Sequence, residues 1–176
     1  MIQQMAWTSR RFEQEWPVEL LPGIVERLRG TPARAAALVA EFTDAEVRSA
    51  RGGWSALEHI GHLDDLHALD MTRLEEFLSR VVVLSAADMT NRATYDARHN
   101  DRSISELLAA FRARRLELVR RLELLTAEEA ALASEHPRLR RPLRLVDWLY
   151  FLAEHDDHHL AKAREALRQA GADVRS

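Results

Sequence analysis

Three Ser/Thr-x-x-Glu segments, Ser55 with Glu58, Ser103 with Glu106 and Thr126 with Glu129, each stand at the head of an apolar-periodic stretch. In such a box the hydroxyl accepts from the backbone N–H three residues on, and the carboxylate reaches back to the cap's own N–H. Two of the donors that every new helix leaves open are thereby satisfied. A chain punctuated in this way is committed to helices. The first box predicts a helix to about Arg80, the second one to about Leu124, and the third a short helix ended by His136-Pro137. From Leu145 a helical pattern reaches Ala170, with Gly171 as its stop and 172–176 as a tail. Upstream, Pro17–Arg29 and Pro32–Phe42 read as two pieces split at Gly30-Thr31-Pro32, with Thr31 as cap and Pro32 opening the second.

Between Val81 and Arg102 the pattern weakens. Val81–Leu84 is rich in β-branched residues, but a four-residue strand without a partner is not viable, so the expectation is a helix end leading into a long connection. Four long helices with one extended crossover and short accessory helices make an all-α four-helix bundle. At 176 residues and 47% hydrophobic, one domain over 1–176 with an N-terminal extension (1–16) accounts for the chain.

Histidines concentrate the chemistry. His155 and His159 in LAEHDDHHLAK are four apart, one turn from each other on the same helical face, within joint reach of one ion. His158 falls well round toward solvent, and Asp156 lies near the centre of the apolar stripe, where an unpaired carboxylate is costly. A third imidazole from a facing helix completes a metal centre. Periodicity favours His67, mid-stripe among Ile60, Leu63, Met71, Leu74 and Leu78, over His62, which lies far round with Leu66 and Leu69. For any single histidine, His59 included, a structural imidazole hydrogen-bonded to backbone is the competing reading.

Composition removes other classes. With no cysteine, disulfides, thiolate ligands and a protein thiol nucleophile are all excluded. A net charge of −3 supplies no field for nucleic acid or anionic lipid. The N-terminus lacks a signal-peptide pattern and no apolar run is long enough for a bilayer, so no membrane partner and a cytoplasmic location are expected. Trp7, Trp16, Trp54 and Trp148 are expected in the core.

LLPGIVERLRGTPAR, GGWSALEHIGHLDD and HPRLRRPLRLVDWLYFLAEHDDHHLAK, in that order, make the chain resemble the DinB-like (DinB/YfiT) superfamily of metal-binding four-helix bundles, related to the bacillithiol and mycothiol S-transferases. The resemblance spans nearly the whole chain and implies a metal triad at His62, His155 and His159, choosing His62 over His67. Arg and Pro in HPRLRRPL stand where relatives often have a Gly-containing turn before a Thr, which points to an altered mouth of the site.

Three imidazoles with an open position suit a catalytic divalent ion, zinc or nickel first, with iron and manganese open. Such an ion activates water or an external low-molecular-weight thiol, so a thiol S-transferase or a hydrolase of small molecules is expected, with Arg92 or Arg98 available for a thiol's carboxylates. Asp156 sits where zinc proteases place a general base, although a supporting hydrogen-bond or ion-pair role is the better expectation. A non-enzymatic metal-binding or stress-response bundle is the alternative reading. An HD-type phosphohydrolase needs His155-Asp156 with a distant Asp such as Asp173, which lies past the expected helix stop. A di-iron bundle needs Glu-x-x-His, which the chain lacks. A homodimer paired through a helix face is also expected.

Overall fold

The structure, a computed structural model, describes residues 4–12 and 15–174, without the side chains of 172–174. Four long helical segments form the bundle: α1 (Leu21–Ala40), α3 (Ala56–Asp65) continued by α4 (His67–Leu78), α6 (Ile104–Leu122) and α8 (Leu145–Val174). Short helices α2 (Asp44–Val47), α5 (Arg92–Asp96) and α7 (Ala127–Ala130) decorate the connections. Complete capping boxes open α3 and α7 at Ser55 and Thr126, and a further one at Thr43 opens α2. At Ser103 only the hydroxyl half forms, accepting from the Glu106 N–H. Around the bundle, α1 packs on α6 and α8, and α3 packs on those same two helices from the other side.

Four expectations are corrected. First, α1 is one helix with Pro32 inside it, not two pieces. Proline costs a helix one i→i−4 hydrogen bond, here the one to the Leu28 carbonyl, and the helix, packed on α6 and α8, runs through the defect. Second, the helix opened by Ser55 is interrupted at Leu66. Third, α8 does not stop at Gly171, which keeps a negative φ instead of the left-handed cap geometry, and the helix runs to Val174.

Fourth, within the expected helical bundle the short helix opened by Thr126 ends at Ala130 and not at His136-Pro137. A two-stranded antiparallel hairpin, β1 (Ala133–His136) and β2 (Arg141–Arg144), joins α7 to α8. It also supplies the partner that Val81–Leu84 lacked. The Glu135 N–H donates to the Val82 carbonyl at 2.8 Å, and the Leu84 N–H to the Glu135 carbonyl at 3.0 Å. Pro142 pairs opposite Glu135 on the strand that has no further neighbour, the edge position where a missing N–H is tolerated.

Burial divides the bundle interior into two apolar cores. One joins Leu28, Leu74, Phe77, Leu118, Leu122, Trp148 and Leu149; the other joins Leu38, Leu57, Ile60, Leu63, Leu107, Phe111, Ala163 and Leu167. Each long segment crosses from one core to the other through a buried polar residue: Thr31 on α1, Asp70 on α4, Arg115 on α6 and Asp156 on α8. A polar layer thus crosses the middle of the bundle, and the clustered histidines lie at its level on α3 and α8. Among the described residues no helix is long and apolar enough to cross a membrane.

Candidate metal centre

His155 and His159, one turn apart on α8, bring their Nε2 atoms to 3.2 Å. Two nitrogens sharing a tetrahedral ion at about 2.0–2.1 Å each are separated by about 3.3 Å, so the pair already has ligand spacing. His62 of α3 joins them, each of the three offering a nitrogen within 4.8 Å of the others. Its Nδ1 is 3.0 Å from the Thr94 hydroxyl of α5, which leaves Nε2 as the nitrogen for an ion. The long connection, by folding back over α3, therefore sets the ring orientation of His62.

Burial keeps these imidazoles neutral. It lowers His62 to about 4, and it holds His155 and His159 well below the ordinary histidine value, with neighbouring histidines adding to the effect. A neutral imidazole presents a lone pair, which is what a divalent ion requires. The donor set of three neutral nitrogens fits zinc, nickel, copper or iron and leaves open positions.

His67, favoured by periodicity, is not brought to the cluster; its Nε2 is 3.3 Å from Glu117 on α6. The reason is geometric. Ala56, Leu57, Ile60, Gly61, His62, Leu63 and Asp64 are all buried because α3 lies between α6 and α8, so a single apolar stripe does not describe it. His158 is also not turned to solvent. The N-terminal segment covers it, with Gln4 Nε2 3.0 Å from its Nδ1 and the Trp7 ring 5.5 Å away.

Asp156 does not meet the cluster as a base. Its carboxylate accepts from the Thr31 hydroxyl at 2.7 Å and from Arg115 Nη2 at 2.9 Å, in full burial. Arg92 and Arg98 are paired with Asp96 and Asp101 and mostly exposed, away from the histidines. Asp173 has no described side chain, but α8 continues through it.

The histidines open onto a cavity of about 540 Å³ walled by Trp7, Trp54, Trp148 and Phe151. Three of the four tryptophans expected in the core therefore line this space. The Trp54 ring lies 5.0 Å from His62 and 6.0 Å from His159, and the Trp7 ring 4.9 Å from His155.

Sequence reasoning assigned no role to His59 and missed His136 and Asp70. His59 Nδ1 lies 3.0 Å from His159 Nδ1, so it can hold that ring with its Nε2 free for an ion. Asp70 lines the cavity with its carboxyl almost wholly buried and without a hydrogen bond among the described residues. Desolvation pushes it up to about 7; Arg115 and Arg73 pull it down, and Asp156 pushes it further up. The signal was present in the spacing: Leu63, Leu66, Asp70, Leu74 and Phe77 follow one another at three and four residues, which sets Asp70 on an apolar face. His136 reaches the cavity from β1 and had no such signal, because its position depends on the hairpin.

The family model of the DinB superfamily matches residues 27–163. Among solved structures, the chain is similar to YfiT from Bacillus subtilis, described as a probable metal-dependent hydrolase with an unusual four-helix bundle topology. The TM-score is 0.78 at 21% identity, over 92% of this chain and 94% of that one. A search of curated proteins finds no match.

Proposed function

The chain belongs to the DinB superfamily, and from that premise we propose that it is a metal-dependent enzyme acting on a small molecule, a hydrolase in the first instance, whose divalent ion is held by His62, His155 and His159. The observation that carries this reading is the convergence of three neutral imidazoles from two helices on the wall of an aromatic-lined cavity. Three protein donors leave room for solvent and substrate. When bound, zinc or nickel supplies Lewis acidity at that wall.

The chain's own groups perform the remaining tasks. Thr94 and His59 hold the rings of His62 and His159. Trp7, Trp54, Trp148 and Phe151 exclude bulk water from the reacting centre. Asp70, with its carboxyl near 7, is poised to accept and return a proton around neutral pH, the balance a general acid–base group needs. In hydrolysis such a group takes the proton that the attacking water must lose. Transfer of an external thiol is the competing reaction, since the cysteine-free chain supplies no thiol of its own.

Elemental analysis of purified protein tests the centre. About one divalent ion per chain is expected, lost in His62→Ala, His155→Ala and His159→Ala and retained in His67→Ala. Full metal content in His155→Ala or His159→Ala, or loss in His67→Ala alone, overturns the assignment. Esters and amides offered with and without low-molecular-weight thiols then separate the reactions: turnover that needs no thiol is hydrolysis, and strict thiol dependence is transfer.

A further inference from the structure

The same cavity is lined by two arginines, Arg138 and Arg73, and neither makes an ion pair with the protein among the described residues. Arg138, in the hairpin turn, lays its guanidinium 5.8 Å over the Phe151 ring and has no carboxylate within ion-pair distance among the described residues. Arg73 of α4 is 5% exposed; its Nε and Nη2 donate at 2.9 and 2.8 Å to the Ser85 carbonyl, a neutral acceptor. By contrast Arg27, Arg34, Arg114, Arg115 and Arg144 each meet a carboxylate.

The surrounding groups act in both directions. Each guanidinium stands in the field of the other, and both act on His136. His136 Nδ1 accepts from the Arg138 and Leu139 N–H groups at 3.3 Å, so the neutral ring carries its proton on Nε2 as a donor. Two carboxyls have fields that reach Arg73. Asp70 holds its proton up to about pH 7, and Glu76 is engaged by the Ser85 N–H and hydroxyl. Partly desolvated guanidiniums without a direct ion pair are costly, and a ligand that brings a carboxylate or phosphate into contact lowers that cost.

We infer that Arg138 and Arg73 form an anion-binding subsite, and that the small molecule taken by this cavity carries a carboxylate or phosphate group on a flat apolar body. The planar fork of arginine matches either anion, and the aromatic wall takes the body. A volume of about 540 Å³ suits one small ligand and no macromolecule. The inference rests on the cavity being the substrate site of the proposed enzyme, lined by the triad and by both arginines.

Binding to the full-length, as-purified protein tests it, read by quenching of Trp7, Trp54 and Trp148 and by calorimetry. The probes are 3-phenylpropionate, phenyl phosphate and the uncharged 3-phenylpropionamide. At least one anion should bind about tenfold or more tighter than the amide. Arg138→Gln should abolish that preference and Arg138→Lys should keep part of it; Arg138 is half-buried with no ion pair, so a folded variant is expected, checked by its melting curve. Which anion binds distinguishes carboxylate from phosphate. Equal affinity for anion and amide overturns the inference, as does a preference that survives in Arg138→Gln, which would place the anion on the metal, or no measurable binding of either anion. Metal content measured in the same samples keeps the two proposals apart: discrimination without metal sinks only the metal centre, and metal without discrimination sinks only the subsite.

Discussion

Asp156 is fully buried, with one oxygen on the Thr31 hydroxyl and the other on Arg115, whose Nη1 has no hydrogen-bond partner among the described residues. Breaking a buried pair by removing one member leaves the other charge stranded, at a cost of about 3–5 kcal/mol. Asp156→Ala is therefore expected to lower unfolding free energy by about that amount in urea titrations. At low temperature, where the variant still folds, it should retain its metal. A base acting on substrate would behave in the opposite way, with turnover lost and stability hardly changed. The residue lies between the two imidazoles of H-x-x-x-H, and its spacing there resembles that of a zinc-protease base. What separates the roles is direction: from position 156 the side chain meets α1 and α6.

At the scale of elements, α3 and the connection after α4 make the site together. Gly61 faces His99, which is fully buried with its Nε2 2.9 Å from Asp65, and a Cβ at 61 would overlap the imidazole ring. Alanine gains about 1 kcal/mol in helix propensity over glycine, but overpacking a buried site costs about 1–3 kcal/mol. The ring is fully buried and held by Asp65, so the cost should win. Gly61→Ala is expected to destabilise, and by pushing His99 away from α3 to loosen the segment that carries Thr94 to His62. A lowered urea midpoint with weakened metal retention is the expected result; a raised midpoint contradicts it. None of this was legible at the level of pattern. Gly61 read as one more helix residue, and the hairpin that pairs with Val81–Leu84 was obscured by Pro137 and Pro142, which suggest loop to any local reading. Helix starts were legible because a capping box lies within four residues.

For the molecule as a whole, two apolar cores flank the polar layer, and neither includes a residue of the histidine cluster. Chelation should accordingly leave the far-ultraviolet circular dichroism of the helices in place, unlike a zinc finger whose fold is its metal site. Collapse of the signal would favour a structural metal. Acid should act differently. Seven histidines have folded values below the ordinary one, chiefly through burial, whereas unfolded histidine titrates near 6.5. The unfolded chain then binds more protons, so stability present above about pH 6.5 is lost as pH falls toward 4. Asp64, Asp70 and Asp156 have raised values and oppose this trend, because the folded protein takes up their protons first. Seven groups outweigh three. Chelated protein should melt at a lower temperature at pH 5 than at pH 7. A higher melting temperature at pH 5 would contradict the balance.

Sequence alone determined what is local: where helices begin, that they form a bundle, and that His155 and His159 share a face, since an i, i+4 pair is set by helix geometry whatever surrounds it. Motif resemblance added His62 where periodicity pointed to His67, because a wheel assumes one buried face and α3 has two. Tertiary structure alone decided the rest. His59 against His159, Thr94 against His62, Asp70 in the polar layer and Arg73 with Arg138 on the cavity wall bring together α3, α4, α5, α8 and the hairpin. Such meetings depend on how distant segments pack, and the energy that fixes them is shared across the whole core, so no window of the chain contains it.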